Sequence, residues 1–136
     1  MARPSTRTIG AVPLFSGLEP RELERVADAF KERRYTAGDT VASEGQKGVG
    51  FFVIGEGTAT VTVAGEPRGQ LGPGDYFGEI ALIDEGARTA TLVAETDMVC
   101  YGMTFWEFRP VVEADGRIAG KLLQALAAKL RAAEQR

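Results

Sequence analysis

Apolar positions follow a helical period at both ends of the chain and a strand period between them. Leu23, Val26, Ala27 and Phe30 recur at helical spacing and predict an amphipathic helix over 18–31. Val12-Pro13-Leu14-Phe15 leads into it, and two start signals follow. Ser16 with Glu19 fits a capping box, while Pro20 fits a first helical turn. Residues 1–11 are polar and without periodicity, which predicts a loose arm.

From Glu32 to Thr104 the pattern becomes short strands with glycine punctuation. Ala37-Gly38-Asp39 turns between strands near 32–35 and 40–43. Phe51 to Ile54 is a short apolar strand, and Gly55-Glu56-Gly57 reads as a tight turn. Thr58 to Val63 alternates, which turns Ala59, Val61 and Val63 toward a core. Ala64-Gly65-Glu66-Pro67 closes a hairpin with Arg68 to Leu71, and Gly72-Pro73-Gly74-Asp75 turns again. Thr89 to Ala94 alternates a second time, and Glu95-Thr96-Asp97 turns into a strand from Met98 to Met103. Turn signals at this spacing predict a sandwich or jelly roll rather than a parallel sheet.

After Met103 the helical period returns. Thr104 caps a helix carrying Phe105, Trp106, Phe108 and Val111, which Pro110 must limit or kink. Asp115 caps a last helix to about Arg136. Ala119, Leu123, Leu126, Leu130 and Ala133 step along it by four, three, four and three, a short coiled-coil-like seam. That seam suits packing on the chain's own barrel as well as it suits a homodimer. For Phe105, Trp106 and Phe108, core packing is favoured over a lid stacked on a base.

A chain of 136 residues, 44% apolar and 26% charged, is one soluble globular domain by the usual priors. A net charge of −3 argues against nucleic acid as a partner but leaves room for a small anion held by a local Arg. The one cysteine, Cys100, lies in an apolar run and reads as a buried hydrophobe. The chain shows no secretory leader and no apolar run of spanning length, so a cytoplasmic protein without membrane contact is expected. The absence of histidine removes Ser-His-Asp and Cys-His nucleophile pairs and the commonest metal ligand. No catalytic residue and no metal site are therefore expected.

The chemistry concentrates in Phe77-Gly78-Glu79-Ile80-Ala81-Leu82 and Arg88-Thr89-Ala90-Thr91. One carboxylate and one guanidinium stand on a Gly-led turn with eight residues between them. Ile80 to Ile83 can make one helical turn whose first N–H groups are free to meet an anion. Arg88 adds two parallel donors suited to phosphate oxygens. Glu79 beside a phosphate is repulsive unless it faces a donor, and a sugar 2′-hydroxyl is such a donor. Ala81 and Ala90 leave room. A plain ion pair between Glu79 and Arg88 would contribute only about 0–1 kcal/mol, so folding does not demand the arrangement.

These residues resemble the phosphate-binding cassette of cyclic nucleotide-binding domains, found in catabolite-activator-type regulators, cyclic-nucleotide-dependent kinases and gated channels. The likeness runs from Val12-Pro13-Leu14-Phe15-Ser16-Gly17-Leu18 through Ala37-Gly38-Asp39, Glu44-Gly45, Phe51 to Ile54 with Gly57, and Gly72-Pro73-Gly74-Asp75. It covers residues 12–130. It implies a mainly β fold with flanking helices: an antiparallel eight-stranded β-roll or jelly roll, an N-terminal helix, a short cassette helix and two C-terminal helices. The expected division is a flexible arm over 1–11 and one domain over 12–136. That domain has an N-terminal helix over 12–31, a β-roll over 32–104 with its cassette at 76–91, and C-terminal helices over 105–136.

The resemblance implies a ligand site of Gly78, Glu79, Ile80, Ala81, Arg88, Thr89 and Ala90. Glu79 would accept the ribose 2′-hydroxyl. Arg88 and the N–H groups of Ile80, Ala81 and Thr89 would hold the cyclic phosphate. Leu82 would relay occupancy to the C-terminal helices. One departure stands out. The loop before the Arg reads Asp84-Glu85-Gly86-Ala87, where the family often has an earlier Gly and a Pro just before the Arg. Two acids near Arg88 then compete with the ligand for it.

Cyclic AMP is favoured over cyclic GMP as the ligand, with no separate cofactor. Thr89 follows the Arg and is compatible with either. No helix-turn-helix, kinase or pore segment is visible. A chain complete as it stands would be a stand-alone sensor acting through an effector protein or self-association. The competing reading is a structural adaptor that binds no nucleotide and works through protein contacts.

Overall fold

The computed structural model describes residues 3–45, 50–78 and 90–135. Eight strands form two antiparallel four-stranded sheets among these residues. The first sheet runs β1 (Lys31–Tyr35), β8 (Met98–Met103), β3 (Phe51–Glu56) and β6 (Tyr76–Phe77). The second runs β2 (Thr40–Ala42), β7 (Thr91–Ala94), β4 (Ala59–Val63) and β5 (Glu66–Leu71). Four α-helices accompany them: α1 (Thr6–Gly10), α2 (Pro20–Asp28), α3 (Phe105–Ala114) and α4 (Gly116–Glu134). The mainly β roll with flanking helices expected from the sequence is the fold observed. The expected cassette helix lies outside the described residues.

The first sheet is buried on both faces. Phe51, Val53 and Met103 join the helices in one core with Phe15, Val26, Phe108, Ile118 and Leu122. Phe52, Ile54, Met98 and Cys100 point the other way and meet Val41, Ala59, Leu92 and Ala94 of the second sheet. An unbroken apolar run, Phe51-Phe52-Val53-Ile54, is what a strand covered on both sides requires. Phe51 is the hub. Its ring lies 6.0 Å from Phe15, 5.8 Å from Phe30 and 6.1 Å from Tyr76, centroid to centroid. Cys100 is fully buried, and burial pushes its thiol up to about 11, so it is a protonated hydrophobe.

Several boundaries differ from the sequence reading, each for a physical reason. Residues 1–11 are not all loose: Ser5 caps α1 by accepting from the Thr8 N–H at 3.1 Å, and Ile9 is fully buried. Five residues are too few to show a period. The Ser16–Glu19 box does not form. Ser16 Oγ donates to the Pro13 carbonyl at 2.9 Å, closing a 3-10 turn over Pro13–Phe15. The Glu19 N–H instead donates to Glu22 Oε1 at 2.8 Å, and α2 begins at Pro20.

β3 continues through Glu56, and the turn falls at Gly57, whose φ of +87° favours glycine. A Cβ there would sit 2.2 Å from the Asp97 carbonyl oxygen. The β4–β5 hairpin turns on Ala64 and Gly65 alone, so Pro67 lies inside β5, tolerated because that strand is an edge. Val63 is only half-buried near that tip. Pro110 neither ends nor limits α3, which runs on to Ala114.

The seam expected along α4 is not its buried stripe. Ile118 and Leu122 are buried, whereas Leu123 and Leu130 are 67% and 62% exposed. The aromatic trio also divides: Phe108 is core, and Trp106 is 58% exposed.

Two carboxylates tie the helices down. Lys121 Nζ donates to the buried Glu22 at 2.7 Å and holds its carboxyl below the usual range. Burial pushes the Glu107 carboxyl up, but Lys31, 2.6 Å away, and the hydrogen bonds from Thr104 outweigh it and bring it down. Both groups titrate lower folded than unfolded, where 4.5 applies. Their contribution is therefore present above pH 4.5 and lost as pH falls through the folded values. Urea midpoints should fall on acidification below about pH 4.5, and Glu22→Gln should flatten part of that slope. A Glu22→Gln profile parallel to the parent's would refute the assignment.

Candidate functional site

Two of the seven site residues read from the sequence, Gly78 and Ala90, are among the described residues. Glu79, Ile80, Ala81, Arg88 and Thr89 lie outside them, as do Leu82 and the acidic loop 84–87. What is described is the frame on either side.

The chain reaches the segment along the edge of the first sheet. Asp75 Oδ2 accepts from the Gly72 N–H at 2.7 Å, closing the Gly72-Pro73-Gly74-Asp75 turn. The Gly74 N–H donates to the Ile54 carbonyl at 2.8 Å, and the Ile54 N–H to the Asp75 carbonyl at 2.9 Å. These bonds pin the turn to β3 and start β6, where Tyr76 pairs with Val53 and Phe77 with Phe52. Phe77 packs on the inter-sheet core, and Tyr76 on the core beneath the helices. Gly78 then takes φ = +82°, a left-handed conformation that turns the chain off the sheet edge.

The chain returns in the second sheet. Ala90 is buried, and β7 begins at Thr91 between β2 and β4. Thr91 pairs with Thr62, and its Oγ1 accepts from the Glu44 N–H at 3.1 Å. Glu44 in turn accepts from the Ala64 N–H at 2.6 Å. The sequence reading quoted Thr91 and Glu44 within its motifs but gave neither a role; the structure joins them by the hydrogen bond from the Glu44 N–H to Thr91 Oγ1. Residues 79–89 thus connect an edge of one sheet to an inner strand of the other, with both ends hydrogen-bonded in place.

Beside the roll, α3 and α4 enclose an apolar groove of about 260 Å³ lined by Phe105, Phe108, Val112, Leu122, Leu123 and Leu126. Arg109 stands over the Trp106 ring at 5.9 Å while pairing with Glu113 at 3.1 Å. Among the described residues there is no His, Cys, Asp and Glu group able to hold a metal ion. Nor is any described helix long and apolar enough to cross a membrane.

The fold is an antiparallel β-roll of two four-stranded sheets with flanking helices. The family model for the cyclic nucleotide-binding domain matches residues 32–115, and the chain belongs to that family. It is 42% identical over 89 residues to a cAMP-dependent protein kinase regulatory subunit of Aspergillus niger, covering 64% of this chain and 22% of that protein. It is 31% identical over 127 residues to the cyclic AMP receptor protein of Thermus thermophilus, covering 90% of this chain and 59% of that one. The chain therefore spans about a fifth and about three-fifths of these two relatives.

In structure it resembles the N-terminal domain of a transcriptional regulator from Streptomyces coelicolor, with a TM-score of 0.87 at 26% identity over 94% of this chain and 93% of that one. The catabolite activator protein of Thermus thermophilus matches with a TM-score of 0.71 at 30% identity over 90% of this chain and 60% of that one. By name, the first of these relatives is a regulatory subunit and the second a receptor protein.

The geometry at Gly78 is open to a direct check. Gly78→Ala should cost about 1–2 kcal/mol in urea unfolding, because an L side chain resists φ = +82°. An unchanged midpoint would mean that the turn relaxes freely.

Proposed function

We propose that this domain binds a cyclic nucleotide, cyclic AMP in preference to cyclic GMP, and reports its occupancy through the C-terminal helices. The observation that carries the reading is the Glu79–Arg88 pair, set between two fixed strand ends in a chain of this family. Relatives named for cyclic AMP support the choice of nucleotide. Glu79 accepts the ribose 2′-hydroxyl, and Arg88 with the N–H groups of Ile80, Ala81 and Thr89 holds the cyclic phosphate. Gly78 and Ala90 shape the segment's ends. The domain is a sensor and not an enzyme, placed in the cytoplasm, and its output passes to an effector protein or a second copy. Binding favours one placement of α3 and α4 over others, so occupancy becomes helix position.

Cyclic AMP at one hundred times its Kd should stabilise the protein by about 2.7 kcal/mol, a rise in Tm on the order of 10 °C. Arg88→Ala should abolish the rise. Thr89→Ala should spare cyclic AMP and weaken cyclic GMP in calorimetric titrations, and equal losses would sink that selectivity. No shift with either nucleotide would leave the adaptor reading in its place.

Self-association is favoured by the exposed Leu123 and Leu130, which continue the four-three spacing on the outer side of α4. Sedimentation velocity should show a dimer that Leu123→Glu dissociates. A parent protein that stays monomeric at high concentration would end this reading.

A further inference from the structure

Glu22 is the one buried charged residue among the described residues, 6% exposed, and its partner comes from the opposite end of the domain. Lys121 Nζ reaches it from α4 at 2.7 Å, and the Glu19 N–H supplies a second donor at 2.8 Å. Arg117, one turn earlier on α4, adds a further electrostatic pull. One turn along α2, Arg25 pairs with Asp115 at 3.0 Å. Asp115 also accepts from the Arg117 N–H at 2.9 Å and so caps α4.

The two rungs have opposite polarity. In one, the acid stands on α2 and the base on α4; in the other the roles are exchanged. Apolar packing of Ile118 and Leu122 supplies attraction but little direction. The ion pairs supply the direction. Sliding α4 by a turn breaks both rungs, and one sense of the slide carries Lys121 toward Arg25. Buried charged pairs are best attested in this use, fixing register rather than adding stability.

We infer that Glu22–Lys121 and Arg25–Asp115 form a two-rung latch that sets the register of α4 on the N-terminal helix and thereby the retention of the nucleotide. The second half of the inference rests on the proposed function; the first does not. Lys121 and Glu22 are positioning residues here, acting on the ligand only through α4.

The test uses the full chain. Spin labels at Glu24→Cys and Gln124→Cys report the α2–α4 distance; Cys100, fully buried, is spared by the label. The parent should give one narrow distance distribution. Lys121→Gln should broaden or shift it, Lys121→Arg should restore it, and Arg25→Gln, at a more exposed rung, should do the same as Lys121→Gln to a lesser degree without risk to the fold. Release of a fluorescent cyclic AMP analogue should be about 5–10-fold faster in Lys121→Gln and within twofold of the parent in Lys121→Arg. An unchanged distribution in Lys121→Gln and Arg25→Gln overturns the latch. A shifted distribution with unchanged or slower release overturns its link to retention. If the parent binds no cyclic nucleotide, the functional reading fails while the distance measurement still decides the latch.

Discussion

Phe51 and Phe52 are neighbours on one strand, yet they end in different cores. Phe51 lies among the helices, and Phe52 lies between the sheets. The rest of the molecule depends on that division. A sheet buried on one face would leave the helices as ornaments tethered by loops. Buried on both, β3 and β8 become a shared wall, and a change on either side is felt through a layer of side chains packed to near-crystalline density. The aromatic contacts around Phe51 join the turn at Phe15, the end of α2 at Phe30 and the start of β6 at Tyr76 in one cluster. Each buried aromatic side chain of this kind contributes roughly 1.5–3 kcal/mol, so the cluster holds the wall and its attachments together.

The same wall positions the candidate site. β6 has only two residues and would not persist alone. It exists because Phe52 and Val53 offer it a ladder and because the Asp75 turn clamps it to Ile54. Across the roll, Thr91 is held by β4 and by the Glu44 N–H. The two fixed points belong to different sheets, β6 at the edge of one and β7 inside the other. The regular hydrogen bonding of one sheet stops at Phe77 and that of the other begins at Thr91, and a connection between sheets is where a chain can carry charges without surrendering a ladder.

Much of this was legible in the sequence because several local signals agreed. β8 was read at its true bounds, since an apolar run lies between the Glu95-Thr96-Asp97 turn and the Thr104 cap. Thr104 and Asp115 fixed the starts of the last two helices. The rule that failed on α4 is instructive. Leu122 and Leu123 are adjacent, so two stripes fit the helical period equally well, and the partner surface decides which one is buried. Here Leu14 and Phe15 share a core with Ile118 and Leu122; of the other stripe Leu126 packs at its margin, and Leu123 and Leu130 are left outside. No local rule contains that information. α1 escaped notice for the opposite reason, being too short to carry a period at all. For the site, the sequence supplied the chemistry of Glu79 and Arg88, and the structure supplies the two strand ends, at Phe77 and Thr91, on either side of them in the chain.

The burial along α4 is graded, and this bears on what the helix can do. Its first two turns are rooted by Ile118, Lys121 and Leu122, whereas every described residue from Ala127 onward is exposed. The helix is 19 residues long, about 28 Å. Its root is reached from the roll by a short path. Phe51 pairs with Met103, Thr104 follows and caps α3, and Asp115 joins α3 to α4. The neighbouring rung, Phe52 with Phe77, leads to Gly78. The path to the helices and the path to Gly78 therefore start from adjacent rungs of β3. A packed interface switches between discrete arrangements rather than deforming smoothly. On a lever this long, a small rotation of the root would be a displacement of several ångströms at the far end of the helix. The exposed half of α4 is thus the part where such a rotation would displace most and break the fewest buried contacts.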